Sequence, residues 1–187
     1  MHRLINSSAL LFPFHDIRYQ LFVTTLEENT ALIRMCDTSQ WRSVVGLTLN
    51  LKQSIKLETG GFVKVDELTA KKAFRHFMNV LNRHIYKAAF RHQGKQLRVV
   101  PILERSESGR WHYHVAIEPP VYMESNEFAD AAMEAWLQTP LGYGHGEISL
   151  YVDAGWNAYM AKRRSKAGFE FYFDCIDTEA FHNPADC

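Results

Sequence analysis

The run Trp111-His112-Tyr113-His114-Val115-Ala116-Ile117 constrains the fold of this chain more than any other segment. Strict alternation predicts a β-strand whose successive side chains point to opposite faces. Trp111, Tyr113, Val115 and Ile117 then form an apolar face suited to a core, and His112 and His114 share the other face. Burying two adjacent imidazoles without partners is costly, and imidazole is a common metal ligand. A strand of this kind needs a core on one side and chemistry or solvent on the other, which suits half of a metal site.

The upstream residues 96–104, followed by Arg105-Ser-Glu-Ser-Gly-Arg110, read as the first strand and turn of a β-hairpin. If Gly109 takes the left-handed last position of a three-residue loop, Ser106 pairs with Arg110. That register sets Glu104 opposite His112 and Ile102 opposite His114. Directly opposed residues share a face, with Cβ atoms about 5 Å apart, so Glu104 becomes a third ligand by geometry. A slip of one residue would send it to the other face. Pro101 has no N–H for a ladder bond, which predicts an edge strand or a bulge. Two neutral imidazoles and a carboxylate suit Mg²⁺ or Mn²⁺ acting on a phosphate. Zinc is allowed by ligand type alone, but no Cys-x-x-Cys pair accompanies the site.

Further along, residues 146–152 alternate like a strand, and Asp153 is placed to cap a helix over residues 156–166. Tyr159, Lys162 and Lys166 fall on one face of that helix. On composition alone Tyr159 is an ordinary half-buried helix residue above a basic solvated face. A cation one turn away favours the phenolate, whose ordinary pKa is near 10.

The combination resembles the HUH endonucleases, and within them the rolling-circle replication initiators (Rep proteins) of phages and plasmids. The residues that carry the resemblance are His112-Tyr113-His114, the later Tyr159-Met-Ala-Lys162, Glu104 on the preceding strand, and Gly46-Leu-Thr-Leu-Asn50. It covers roughly residues 41–166. The resemblance implies nicking of single-stranded DNA by Tyr159, leaving a 5′-phosphotyrosine and a free 3′-hydroxyl. Glu104, His112 and His114 would hold the metal, and Lys162 would help neutralise phosphate and phenolate. The tyrosine follows the histidines, as in initiators and single-tyrosine transposases. Tyr151 belongs to the preceding strand, Tyr113 points into the apolar face, and Tyr172 lies in an aromatic packing segment, so one tyrosine is expected to act. Completion by a second protomer or by hydroxide stays open, as does the oligomeric state.

At 187 residues the chain can bury roughly 70% of its unfolded surface, enough for one core. The expectation is a single α+β domain spanning 1–187, with a central antiparallel sheet backed by helices and a distant likeness to ferredoxin-like folds. Residues 1–40 and 167–187 count as extensions of uncertain role. Residues 43–53 read as a strand with Val45, Leu47, Leu49 and Leu51 on one face. Residues 65–90 carry a helical stripe of Ala70, Phe74, Phe77, Leu81, Ile85 and Ala89. A helix over residues 126–137, capped by Ser125, and the Gly-rich turn 141–146 complete the core.

Formal net charge is zero, so nucleic-acid binding must rest on local patches. Arg110, Arg163, Arg164 and Lys166 are the expected DNA contacts, with a second cluster at Arg91, His92 and Lys95. Three scattered cysteines suit a reducing cytosol, and no apolar run is long enough to span a membrane. The absence of a Gly-x-x-x-x-Gly-Lys loop implies a separate helicase. Two other classes stay open beside the nickase. A non-catalytic single-stranded nucleic-acid-binding module would rely on Trp111 or Tyr113, and a metal-dependent phosphodiesterase would use water.

Overall fold

The structure, a computed structural model, describes residues 37–106, 108–144, 146–150 and 182. All of them lie in one compact unit, Cys36–Cys187.

Four strands form an antiparallel sheet: β1 (Val45–Asn50), β4 (Val99–Arg105), β5 (Trp111–Ile117) and β6 (Glu147–Ser149), in the order β4-β5-β1-β6. A separate two-stranded ribbon consists of β2 (Ser54–Lys56) and β3 (Phe62–Lys64). The helices are α1 (Glu67–Tyr86), the short α2 (Ala88–Gln93) and α3 (Ser125–Leu137). The expected α+β architecture is what the chain adopts.

Alternation divides the sheet as anticipated. Val45, Leu47, Leu49, Leu51, Leu103, Tyr113, Val115 and Ile117 are buried in one core with α1 and α3. The Tyr113 ring stacks on Phe74 of α1 at 4.3 Å, and Phe77 meets Trp136 of α3 edge-on at 5.5 Å. Aromatic pairs of this geometry add to the apolar transfer term, which is about 1.5–3 kcal/mol for each fully buried large side chain. The indole of Trp136 is fully buried, and its N–H donates to the carbonyl of Asn50 at 3.1 Å, tying α3 to the end of β1.

Helix α1 starts where Asp66 caps it, accepting from the Thr69 N–H at 2.8 Å. Side-chain and backbone hydrogen bonds from Thr69 hold the Asp66 carboxyl below the usual carboxylate range. The predicted single helix over 65–90 is interrupted. Lys87 adopts φ 48°, its N–H still bonded to Arg83, and α2 continues in a new direction until Gly94 at φ 66°. Lys87 and Ala88 are exposed, so no apolar face holds the chain to the axis of α1 there. Ala70 through Ile85 keep the predicted buried stripe, while Ala89 is only half-buried. Ser125, expected as a cap, is instead the first residue of α3. Glu124 occupies the cap position, its carbonyl accepting from Phe128 at 2.9 Å.

Pro101 sits on β4, an edge strand with unbroken register to β5. Backbone bonds at Arg98–Glu118 and Ser106–Arg110 show that even-numbered residues of β4 bond toward β5. Pro101 therefore aims its nitrogen outward, where no ladder bond is lost. On that outer edge Val99 exchanges backbone bonds with His182. Beyond β1, Leu51 bridges Gly142, a position where a Cβ would collide with the Trp136 carbonyl, so only glycine fits. Among the described residues no helix is long and apolar enough to cross a membrane.

Candidate metal centre

The turn between β4 and β5 sets the site. Gly109 takes φ 79°, its N–H donates to Ser106 O at 2.7 Å, and Ser106 N–H donates to Arg110 O at 2.9 Å. The Ser106 hydroxyl also accepts from Arg110 N–H at 3.1 Å. This is the turn expected from the position of Gly109. The register follows, with Glu104 opposite His112 and Ile102 opposite His114. Glu104, His112 and His114 thus converge on one face, each offering a ligand atom within 4.8 Å of the others.

Glu104 Oε2 lies 3.5 Å from His112 Nε2 and 3.6 Å from His114 Nε2. These separations exceed the roughly 2.7–2.9 Å of a charge-assisted hydrogen bond. They lie close to the roughly 3.0–3.4 Å between neighbouring donors around an ion bonded at about 2.1 Å. The two imidazoles stand nearly perpendicular, with ring centroids 4.9 Å apart, so their Nε2 lone pairs approach one point from different directions.

The opposite nitrogens are held from outside. His112 Nδ1 lies 3.4 Å from the Arg110 carbonyl, an acceptor only, so Nδ1 carries the proton and Nε2 the lone pair. His114 Nδ1 lies 3.2 Å from Thr48 Oγ1 on β1, the residue paired with His114 across the sheet. With His114 protonated on Nδ1, the Thr48 hydroxyl accepts that proton's bond and Nε2 stays open toward Glu104. Partners of this kind orient metal-ligating histidines and raise their basicity. The site grades from closed to open: His114 is buried at 8% exposure, and the Glu104 side chain is 36% exposed.

Beyond His114 the same face turns apolar, with Val100, Ile102 and Ala116 buried. At the turn, Arg110 is exposed and falls on the histidine face by register. Tyr113, in contrast, is buried beneath Phe74, out of reach of any base, and Trp111 is half-buried with its N–H donating to Val65 O at 3.1 Å. Of the second basic cluster, Lys95 lies over the Tyr86 ring at 4.9 Å, and neighbouring Arg98 pairs with Glu118 at 3.2 Å. Tyr159, Lys162, Arg163, Arg164 and Lys166 lie outside the described residues, as do His145, Tyr151, Asp153 and Tyr172.

Thr48 is a residue of the site that the sequence reading leaves without a role. Its signal is a hydroxyl between Leu47 and Leu49, on the polar face of a strand whose other face is apolar.

The family described as replication-associated protein of the ORF2 type matches residues 43–168, about two thirds of the chain. That span opens just before β1, contains the Glu104–His112–His114 hairpin, and extends past Tyr159 and Lys162 to Lys166. It nearly coincides with the stretch, residues 41–166, over which the motifs resemble Rep proteins. Comparison with curated proteins and with solved structures gave no match. The fold, the carboxylate–histidine cluster and the matched span agree, and the chain belongs to this ORF2-type family of replication-associated proteins.

Proposed function

We propose that this protein is a metal-dependent, single-tyrosine DNA endonuclease and strand transferase that initiates rolling-circle replication. The observation that carries this reading is the convergence of Glu104, His112 and His114, with both Nδ1 atoms engaged elsewhere, in a chain of a replication-associated family. The donor set of one carboxylate and two imidazoles fits Mg²⁺ or Mn²⁺. Such an ion, when bound, supplies positive charge that draws in a scissile phosphate and stabilises charge developing on its oxygens.

Thr48 and the Arg110 carbonyl hold the imidazoles so that Nε2 faces the ligand position. Arg110, exposed beside the site, contacts backbone phosphate of the bound strand, as do Arg163, Arg164 and Lys166. Tyr159 loses its phenolic proton and attacks phosphorus. A tyrosine–phosphorus bond forms, the bond from phosphorus to the 3′-oxygen breaks, and that oxygen leaves as a 3′-hydroxyl after taking a proton. Lys162, one turn along, neutralises the phenolate and phosphate. Attack by a 3′-hydroxyl on the phosphotyrosine reverses the step and rejoins the strand. The working core spans about residues 41–166. Because these 187 residues hold no nucleotide-binding loop, strand separation is assigned to a helicase activity outside them.

The test is a covalent-adduct assay on denaturing gels, with a pool of single-stranded DNA oligonucleotides and Mn²⁺. A shifted band that requires metal, Tyr159 and His112 is expected, absent with EDTA, Tyr159→Phe or His112→Ala. Cleavage without adduct that survives Tyr159→Phe would instead make the protein a hydrolase using activated water. Paired cutting at hairpin ends, in place of one nick, would make it a transposase.

A further inference from the structure

The β2–β3 ribbon is the one strand pair of the described sheet structure with no buried residue. All six residues of Ser54–Lys56 and Phe62–Lys64 are exposed, Phe62 to 70%. Its register pairs Ser54 with Lys64, Ile55 with Val63, and Lys56 with Phe62. Paired residues share a face, so one face presents Lys56, Phe62 and Lys64 together with Ser54. The other presents Ile55 and Val63. The single acidic residue within the ribbon is Glu58, in the turn. An open aromatic ring set between two lysines complements a polyanion that carries stacking bases.

The ribbon is also anchored beside the metal centre. Gln53, at its root, accepts from Trp111 N–H at 2.7 Å and donates through Nε2 to Trp111 O at 3.0 Å. Val65, at its other root, accepts from the Trp111 indole at 3.1 Å and donates to Gln53 O at 2.9 Å. Trp111 immediately precedes His112. Both ends of the ribbon are therefore fixed one residue from a candidate metal ligand, at the same end of the sheet as exposed Arg110.

From these observations we infer that the β2–β3 ribbon is a single-stranded DNA contact, in which a base flanking the metal centre stacks on Phe62 and the adjoining phosphates meet Lys56 and Lys64. The inference rests on the reading that the protein acts on single-stranded DNA, and it names the surface that holds the strand. Base–aromatic stacking tolerates any sequence, so the ribbon supplies affinity and direction while sequence is read elsewhere.

The experiment is fluorescence anisotropy of a labelled single-stranded oligonucleotide with the full chain in EDTA, where no chemistry proceeds, repeated over a salt series. Phe62→Ala is expected to weaken binding by roughly 5- to 150-fold, and Phe62→Trp to restore it. Replacing Lys56 and Lys64 together by Gln is expected to lower the slope of log affinity against log salt by about 1.4, at about 0.7 for each phosphate no longer neutralised. Binding of a duplex should be indifferent to Phe62. Unchanged single-strand affinity in Phe62→Ala overturns the proposal, whatever the lysine variant does, and leaves the ribbon as a protein contact. If wild type itself binds no single-stranded DNA, the functional reading beneath the proposal fails with it.

Discussion

Two antiparallel hairpins of this protein follow the same backbone rules to opposite ends. In β4–β5 the strands are seven residues long, one face fills the core, and the turn is closed by backbone and side-chain bonds around Gly109. In β2–β3 the strands are three residues long and both faces meet solvent. The first hairpin holds three side chains in fixed relation, as a metal site requires. The second holds nothing buried, and its order comes from its roots, clamped to Trp111 through Gln53 and Val65. Rigidity therefore sits where ligand geometry must hold to fractions of an ångström, and exposed apolar surface sits where a long, variable strand must be met.

Core mutation separates the two hairpins most widely. Tyr113→Ala on β5 removes a fully buried ring stacked on Phe74 and is expected to cost about 3–5 kcal/mol in urea unfolding. A cost below ~1 kcal/mol would mean that β5 is not the central packed strand. Next is Thr48→Val, which removes the partner of His114 Nδ1 while preserving shape. It is expected to weaken divalent-metal affinity about 10- to 100-fold, measured by calorimetric titration, with little change in melting temperature. Equal affinity would show that Thr48 does not orient the imidazole.

Gly109→Ala should come third. Its φ of 79° disfavours a side chain, although the nearest group to an added Cβ is the Arg105 guanidinium, 3.5 Å away. The expected loss is about 1–2 kcal/mol from the left-handed backbone alone. Because the turn sets the register, metal affinity should fall with it. The smallest effect is expected in the other hairpin, where Phe62→Ala should change stability by less than about 0.5 kcal/mol. A larger loss would mean that the ribbon is packed after all.

A pH test touches the helix that supports both hairpins. The carboxyl of Asp66 is held below its ordinary range by Thr69. Its cap therefore contributes in full above the unfolded carboxylate range and is lost as pH falls through its own lowered pKa. Thermal melts of wild type and Asp66→Asn should converge as the solution is acidified.

Much of the metal centre was legible because hairpin geometry is discrete. Gly109 in the turn leaves one register that satisfies a three-residue loop, and that register places Glu104 against His112 with no further information. The core faces of β1 and β5, and the buried stripe of α1 from Ala70 to Ile85, were legible for a similar reason, since each repeats with the period of its element. The β2–β3 ribbon was missed because a strand exposed on both faces carries no alternation to read. Its available signal was Gly60-Gly61 between two short runs, with Gly60 at φ 93°. The break at Lys87 has no glycine or proline to announce it, and follows from the loss of buried neighbours beyond Ile85. Thr48 was legible as a polar residue but not as a partner of His114, because that pairing depends on β1 lying beside β5.

The most direct measurement is a Mn²⁺ titration of the full chain, followed by electron paramagnetic resonance of the free ion, for wild type and for Glu104→Ala, His112→Ala and His114→Ala. One Mn²⁺ is expected to bind per wild-type chain, and each of the three substitutions should weaken that binding while the fold is retained. Wild-type binding that survives all three, or no binding at all by a folded wild-type chain, would contradict a metal centre at Glu104, His112 and His114.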